Sequence, residues 1–332
     1  MSLALEDLVI EGRIIPLHAP RSISRETNVA SRVIRIEAHA RGHVGLGEAC
    51  PMPRYGENID ASIAQMHEVR DDLLSLKDRG ELADVLEPGA LRNALDAALW
   101  DLEAKLAGQS VEALLGLTVS PVETVYTVSL DTPERMALEA GRERARPILK
   151  IKLGHFDLDV ERLRAVRAAA PDCALVVDAN EGWDIDQLKA IAPVAAGLGV
   201  KLIEQPLHAD RDQALEGFDC PLPLCADESC HTRASLPGLG ERYDMINIKL
   251  DKSGGLTEAL ALARAARDQG LKVMIGCTSA TTLAIAPAFL VAQSCVVCDL
   301  DAPLYNAHQE HLEVAYDGSV VSFSPSRTWG AP

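Results

Sequence analysis

What this chain lacks narrows it before anything it contains. Positive charge is in deficit: 49 acidic residues face 32 basic ones across 332 residues, a formal net charge of −17. A surface of that balance repels phosphate backbones and anionic lipid, so neither nucleic acid nor a membrane is an expected partner. The opening segment MSLALEDLVIEG has no basic stretch followed by an apolar run, and no secretory signal is read there. A long uninterrupted hydrophobic run is missing too. The least charged stretch, between Lys272 and Asp299, is broken by Gly276, Thr278, Ser279, Thr281, Thr282, Pro287, Gln293 and Ser294, which suits a buried helix flanked by strands better than a membrane span. Eight cysteines (50, 173, 220, 225, 230, 277, 295, 298) are scattered through apolar runs, and Cys295 and Cys298 form a C-x-x-C with no second pair nearby. That pattern reads as packing by reduced thiols in a cytoplasmic protein rather than as zinc or redox chemistry.

What is present is a chain that is 48% apolar and long enough to exceed a single core, so two domains are expected. In the first 120 residues, LEDLVIEGRIIPL and SRVIRIEAHARGHVGLGEA read as antiparallel strands, the second turning at ARGH. A helix follows in GALRNALDAALWDLEAKLAGQS, where Leu91, Leu95, Leu99, Leu102 and Leu106 recur at helical spacing and Gly108 stands at the C-cap. This is an α+β capping domain, with a boundary near TVSPVE, 118–123.

From there short apolar runs recur eight times: TVYTVSL, ILKIKLG, ALVVDAN, VKLIEQP, LPLCADES, DMINIKLD, KVMIGC and CVVCDLD. Most gaps between them hold a helix-like segment, such as DLDVERLRAVRAAAP. Runs too apolar to face water, alternating with helices, predict a closed parallel barrel, here an α/β (β/α)7β TIM-like barrel over 121–303. The tail, 304–332, is strand-like and is expected to return to the capping domain.

Three consecutive strands end in a carboxylate, Asp178, Glu204 and Asp227, and the C-terminal strand ends of such a barrel form its active face. Three acids so close repel one another unless a cation sits among them, and three hard oxygens suit Mg²⁺. Lys150 and Lys152, two apart in one strand, point to the same face about 6–7 Å apart, while Leu149, Ile151 and Leu153 point away. Each cation disfavours the other, so at least one amine is expected to be pulled toward neutrality and to serve as a base. Lys249 ends the sixth run. In a closed barrel the second and sixth strands are opposed, which places the α-carbon of a metal-bound carboxylate between two amines. That is the arrangement a racemase or epimerase needs.

The series K-I-K, D-A-N, E-Q-P, A-D-E-S and N-I-K-L-D-K-S-G-G, in order on successive strands, resembles the enolase superfamily, specifically its muconate-lactonizing subgroup. Residues 221–262, with CADESCHTR and NIKLDKSGGLTEALALA, look most like bacterial L-Ala-D/L-Glu epimerases. The resemblance implies one Mg²⁺ per subunit on Asp178, Glu204 and Asp227, acid/base catalysis by Lys152 and Lys249 with Lys150 in support, and an enediolate intermediate. It further implies that Asp299 and Asp301 hold the α-ammonium of a dipeptide and that Arg25, in PRSISRETN, pairs with the glutamyl side chain. The PMPRYGE flap offers Arg54 and Tyr55 as further substrate contacts. A homo-oligomer and a role in recycling cell-wall peptides are implied as well. Within the same subgroup, N-acylamino-acid racemases, o-succinylbenzoate synthases and cycloisomerases are the alternatives, and the D-x-D pair opposes them because their substrates carry no free ammonium. A catalytically dead barrel should have lost a lysine or a ligand. A hydrolase should show histidine ligands, which the strand ends lack.

Overall fold

Strands β1 (Asp7–Ser22), β2 (Thr27–Ala40) and β3 (His43–Ala49) form an antiparallel sheet, with β2 turning into β3 at Arg41 and Gly42. The structure is a computed structural model that describes residues 3–309 and 312–332, so Met1 and Ser2 of the opening segment and Glu310 and His311 of the tail lie outside the described residues. The helix Ala90–Ala107 packs its leucines onto this sheet and ends at Gly108 in a left-handed conformation, φ 61°. It lies unusually close to β3. A Cβ on Gly47 would stand 1.9 Å from the Ala94 carbonyl oxygen, so only glycine permits the approach.

Eight parallel strands follow: after the short β4 (Val122–Glu123) come β5 (Tyr126–Val128), β6 (Ile148–Lys152), β7 (Ala174–Asp178), β8 (Val200–Glu204), β9 (Leu224–Ala226), β10 (Met245–Ile248), β11 (Lys272–Gly276) and β12 (Val297–Asp299). They pair in sequence order from β5 to β12. Val125 N donates to Cys298 O at 2.9 Å, which brings the first and eighth strands together into a nearly closed barrel. The chain is therefore α/β, a parallel barrel behind an antiparallel cap. Between β8 and β9, and again between β9 and β10, the described connections are 3-10 turns (Ala209–Leu215, Arg233–Ser235, Leu239–Glu241) rather than α-helices. Those gaps are rich in proline, glycine and short polar residues, which break the helical stripe. The uncharged stretch after Lys272 becomes the buried helix Thr282–Ala292, and among the described residues no helix is long and apolar enough to cross a membrane.

The lumen is layered. Ile148, Val176, Leu202, Cys225, Met245, Met274 and Val297 fill it with an apolar plug, above which the inward positions of the same strands turn polar. Buried polar contacts seat the cap on that polar end: Asp251 accepts from Cys50 N and Asn93 Nδ2, both at 3.0 Å, and Glu48 accepts from Thr281 N at 2.8 Å. The tail divides its contacts. Its hairpin, β13 (Val314–Asp317) and β14 (Val320–Phe323), pairs with β4, whereas Trp329 Nε1 donates to Ala97 O of the cap helix at 3.1 Å.

Candidate active site

Strand register builds the floor of the site. Lys152 is paired with Asp178, and Asp178 in turn with Glu204, so three charged side chains stand side by side at the ends of β6, β7 and β8. One oxygen each from Asp178, Glu204 and Asp227 lies within 4.8 Å of the other two, and all three residues are buried. Three buried carboxylates are what the loop-free ends of adjacent strands can deliver, and they are costly unless neutralised.

The neutralising charges come from four lysines. Lys152 Nζ is 2.6 Å from Asp178 Oδ2, and Lys249 Nζ is 2.7 Å from Asp227 Oδ2. Lys150, with no exposed surface, reaches across the lumen to Asp299 at 2.6 Å, Glu204 at 2.7 Å and Asp178 at 3.2 Å. Lys252 was not singled out from the sequence, yet its Nζ is 2.6 Å from Asp227 Oδ1 and also donates to the Cys230 and Asn247 carbonyls. It stands three residues after Lys249, one helical turn along, and that spacing was the available signal.

For two of the amines these contacts favour the charged form. Burial opposes the charge on Lys150, but Asp299, Glu204 and Asp178 outweigh it and hold the ammonium well above its ordinary range. Burial likewise opposes the charge on Lys249, which Asp227 holds above its ordinary range. The sequence displayed the lysine pair but not the acids each lysine would face. Asp227 is held well below the carboxylate range by Lys249 and Lys252 in spite of burial. Glu204 is the exception: burial and the adjacent Asp178 push it up to about 7. Its Oε2 lies 2.7 Å from Lys150 Nζ, too poorly aligned for a hydrogen bond, so a buried carboxylate oxygen has no donor. An all-oxygen donor set with one member short of positive charge fits a hard divalent cation. Glu204 Oε1 is oriented by Asn247 Nδ2 at 2.7 Å, and Gly276 leaves the room: a Cβ there would be 2.7 Å from Asn247 Oδ1.

A cavity of about 360 Å³ opens above this floor, between the barrel and the cap, and is lined by Lys152, Lys249, Asp299 and Asp301. Lys150 is not part of that lining, which makes it a holder of carboxylates rather than a group facing the cavity. Asp299 and Asp301 are both buried. Asp301 Oδ2 accepts from Thr127 N and Tyr305 Oη, both at 2.6 Å, and burial together with neighbouring Asp299 pushes its carboxyl up to about 6. An ammonium arriving there would meet a negative pair only partly offset by Lys150.

The rim belongs to the cap. Arg25, in the loop between β1 and β2, donates to Asn180 O at 2.9 Å and lies 2.8 Å from Glu228 Oε1 and 3.1 Å from Glu181 Oε2. Arg54 forms a forked pair with Glu181, both contacts at 2.9 Å. Arg25 and Arg54 line the cavity, but Tyr55 does not: its ring packs edge-on against His231 at 4.6 Å. A flap sequence gives no sign of which of two adjacent side chains faces inward. Trp183 is structural, its Nε1 donating to buried Asp159 at 2.8 Å. Glu181 and Glu228, which tie the rim together, escaped the sequence reading although each follows a site residue closely.

Comparison with known proteins places this geometry. Residues 7–116 match the mandelate racemase / muconate lactonizing enzyme N-terminal domain, and residues 134–321 match the enolase C-terminal domain-like family. The L-Ala-D/L-Glu epimerase of Escherichia coli K12 is 47% identical over 88% of this chain and 92% of its own length. An N-acetyl-D-glutamate racemase of a Pseudoalteromonas species is 40% identical over 86% and 91%. Among solved structures, an enolase family member from Agrobacterium tumefaciens with homology to dipeptide epimerases, with bound sodium and L-Ala-L-Glu, superposes with a TM-score of 0.94 at 43% identity, covering 97% of this chain and 99% of that one. A dipeptide epimerase from Cytophaga hutchinsonii complexed with Mg and D-Ala-L-Val gives a TM-score of 0.92 at 26% identity, covering 100% and 96%.

Proposed function

The chain belongs to the mandelate racemase / muconate lactonizing enzyme family of the enolase superfamily, and on that premise we propose that it is a Mg²⁺-dependent dipeptide epimerase inverting the glutamyl α-carbon of Ala-Glu-like dipeptides. One observation carries the reading. Lys152 and Lys249, from the second and sixth barrel strands, line the same cavity as the Asp299 and Asp301 pair.

Lys152 and Lys249 are the two acid/base groups, one removing the α-proton and the other returning a proton to the opposite face. Asp178 and Asp227 hold the two amines at 2.6 and 2.7 Å and so aim them. Asp178, Glu204 and Asp227 would hold one divalent cation per subunit, which would supply positive charge against the negative charge growing on the substrate carboxylate. Lys150 keeps Asp178, Glu204 and Asp299 together beneath the cavity. Asp299 and Asp301 take the free α-ammonium, anchoring the dipeptide at the end away from the metal ligands. Orientation of this kind accounts for a large part of a proton-transfer rate.

The relative that racemises N-acetylglutamate supports a second reading within the family. An N-acyl substrate brings no ammonium, however, and would leave the buried Asp301 carboxylate without the cation its surroundings call for. The discriminating experiment incubates the protein with Mg²⁺ in D₂O and either L-Ala-L-Glu or N-acetyl-L-glutamate, following the glutamyl α-proton by NMR. Faster exchange of the dipeptide is expected. Exchange of the N-acetyl compound alone would replace this reading with the racemase one.

A further inference from the structure

Resting on the epimerase reading, we propose that Asp251 is a positioning residue through which the cap seats the Lys249 amine against the α-carbon. Lys249 stands just past the last residue of β10 and opens the short helix Leu250–Ser253, whose Lys252 and Ser253 amides both donate to its carbonyl at 3.0 Å. Where that turn sits, the base sits.

The turn is docked on the cap at both ends. Asp251, buried in its first turn, accepts from Cys50 N and Asn93 Nδ2, both at 3.0 Å, and from the Thr278 hydroxyl. At the other end Arg92 donates to Ser253 O at 2.7 Å and to Gly254 O at 3.2 Å. An acid in the first turn of a helix ordinarily answers that helix's own N-terminal charge. Both oxygens of Asp251 are instead taken by donors from three separate places: the root of the 51–57 flap, the cap helix and the loop after β11. Hydrogen bonds to a carboxylate are about twice as strong as neutral ones, so the three together fix its direction.

Cys50 and Thr278 line the cavity that Lys249 faces, whereas Asp251 does not. The flap, the cavity wall and the turn bearing the base thus meet at one carboxylate that acts through Lys249 rather than on the substrate. Asp227 aims the tip of the lysine, at 2.7 Å. Asp251 fixes where its backbone stands.

The test follows L-Ala-L-Glu and L-Ala-D-Glu separately in D₂O with Mg²⁺, reading α-proton exchange and inversion by NMR. Lys249→Ala is the reference: it should exchange the epimer whose α-proton faces Lys152 without inverting it, which identifies that epimer. Asp251→Ala is expected to raise the exchange-to-inversion ratio of the same epimer about 10- to 100-fold, because a misplacement of ~1 Å costs on the order of 10²-fold, and not to raise the ratio of the other. Asp251→Asn keeps the shape, and the Thr278 hydroxyl can turn to accept, so most of the parental ratio should return. Asn93→Ala, which alters only the cap, should give a smaller rise for the same epimer, and it decides by itself if Asp251→Ala does not accumulate. A general loss of folded protein lowers exchange and inversion together and moves neither ratio. Proportional losses in Asp251→Ala and Asn93→Ala, or a rise for both epimers, overturn the assignment and leave the epimerase reading intact. A parent protein that exchanges neither epimer overturns both.

Discussion

The floor of the cavity and its rim hold charge in different ways. On the floor, Lys150, Lys152, Asp178 and Glu204 are borne by strands in register, and each lysine is buried or nearly so against its carboxylates. On the rim, Arg25 and Arg54 come from loops of the cap and meet Glu181 and Glu228 across the domain junction, with about a third of each arginine side chain exposed. A strand residue cannot shift without moving its neighbours by a whole register step, so the floor keeps its geometry through a catalytic cycle. Half-exposed ion pairs are worth little individually and exchange with water readily, so the rim can open and reclose. The contrast teaches where to look for each property: reaction type on the floor, substrate choice and access at the rim.

The largest expected effects lie on the floor. Lys152→Ala and Lys249→Ala should each cut epimerisation by more than ~10³-fold, the upper part of what a positioned acid/base group contributes, as measured by polarimetry or NMR. A loss no greater than that of Glu181→Gln would erase the distinction between floor and rim. Lys150→Met tests the same layer through stability. It removes the one ammonium shared by Asp178, Glu204 and Asp299, and breaking a buried pair of this kind costs about 3–5 kcal/mol, to be read from denaturant melts without added metal. Added Mg²⁺ should restore part of it.

Intermediate effects are expected at Asp301. Asp301→Asn should raise KM for free dipeptides about tenfold more than for their N-acetylated forms. Because its carboxyl is pushed up to about 6, its charge is present above that pH and lost below it. KM for free dipeptides should therefore climb as pH falls through about 6, and the N-acetylated forms, which share any effect of acid on the metal ligands, provide the baseline. Glu181→Gln should give the smallest change, a few-fold in KM of similar size for acidic and neutral dipeptides, since it loosens Arg25 and Arg54 together.

Much of this was legible in the sequence where periodicity and spacing carry it. Eight apolar runs located eight strands, and K-I-K with the three acid-ending strands located the floor, because a strand projects alternate residues to one side and a barrel gathers strand ends. Pairing was not legible. Spacing alone left Lys150 beside the substrate, whereas in the structure it reaches three acids from separate strands and lies outside the cavity lining. Nor did the flap sequence distinguish Arg54, which faces the cavity, from Tyr55, which packs on His231. The aspartates of CVVCDLDAP were assigned through the resemblance, Asp299 ending β12 and Asp301 lying just beyond it, but the contacts of Asp299 with Lys150 and of Asp301 with Thr127 come from strands distant in the chain.

The central claim is that Lys152 and Lys249 act on opposite faces of one α-carbon, and isotope transfer in the first turnover tests it most directly. L-Ala-L-Glu and L-Ala-D-Glu would be incubated separately in D₂O with Mg²⁺, quenched early, and the α-position of substrate and product analysed by mass and NMR. Two bases predict that the product is fully deuterated at that position while the unreacted epimer still carries mostly protium. A product that keeps its original α-proton would require a single base returning the same proton, and would contradict the account.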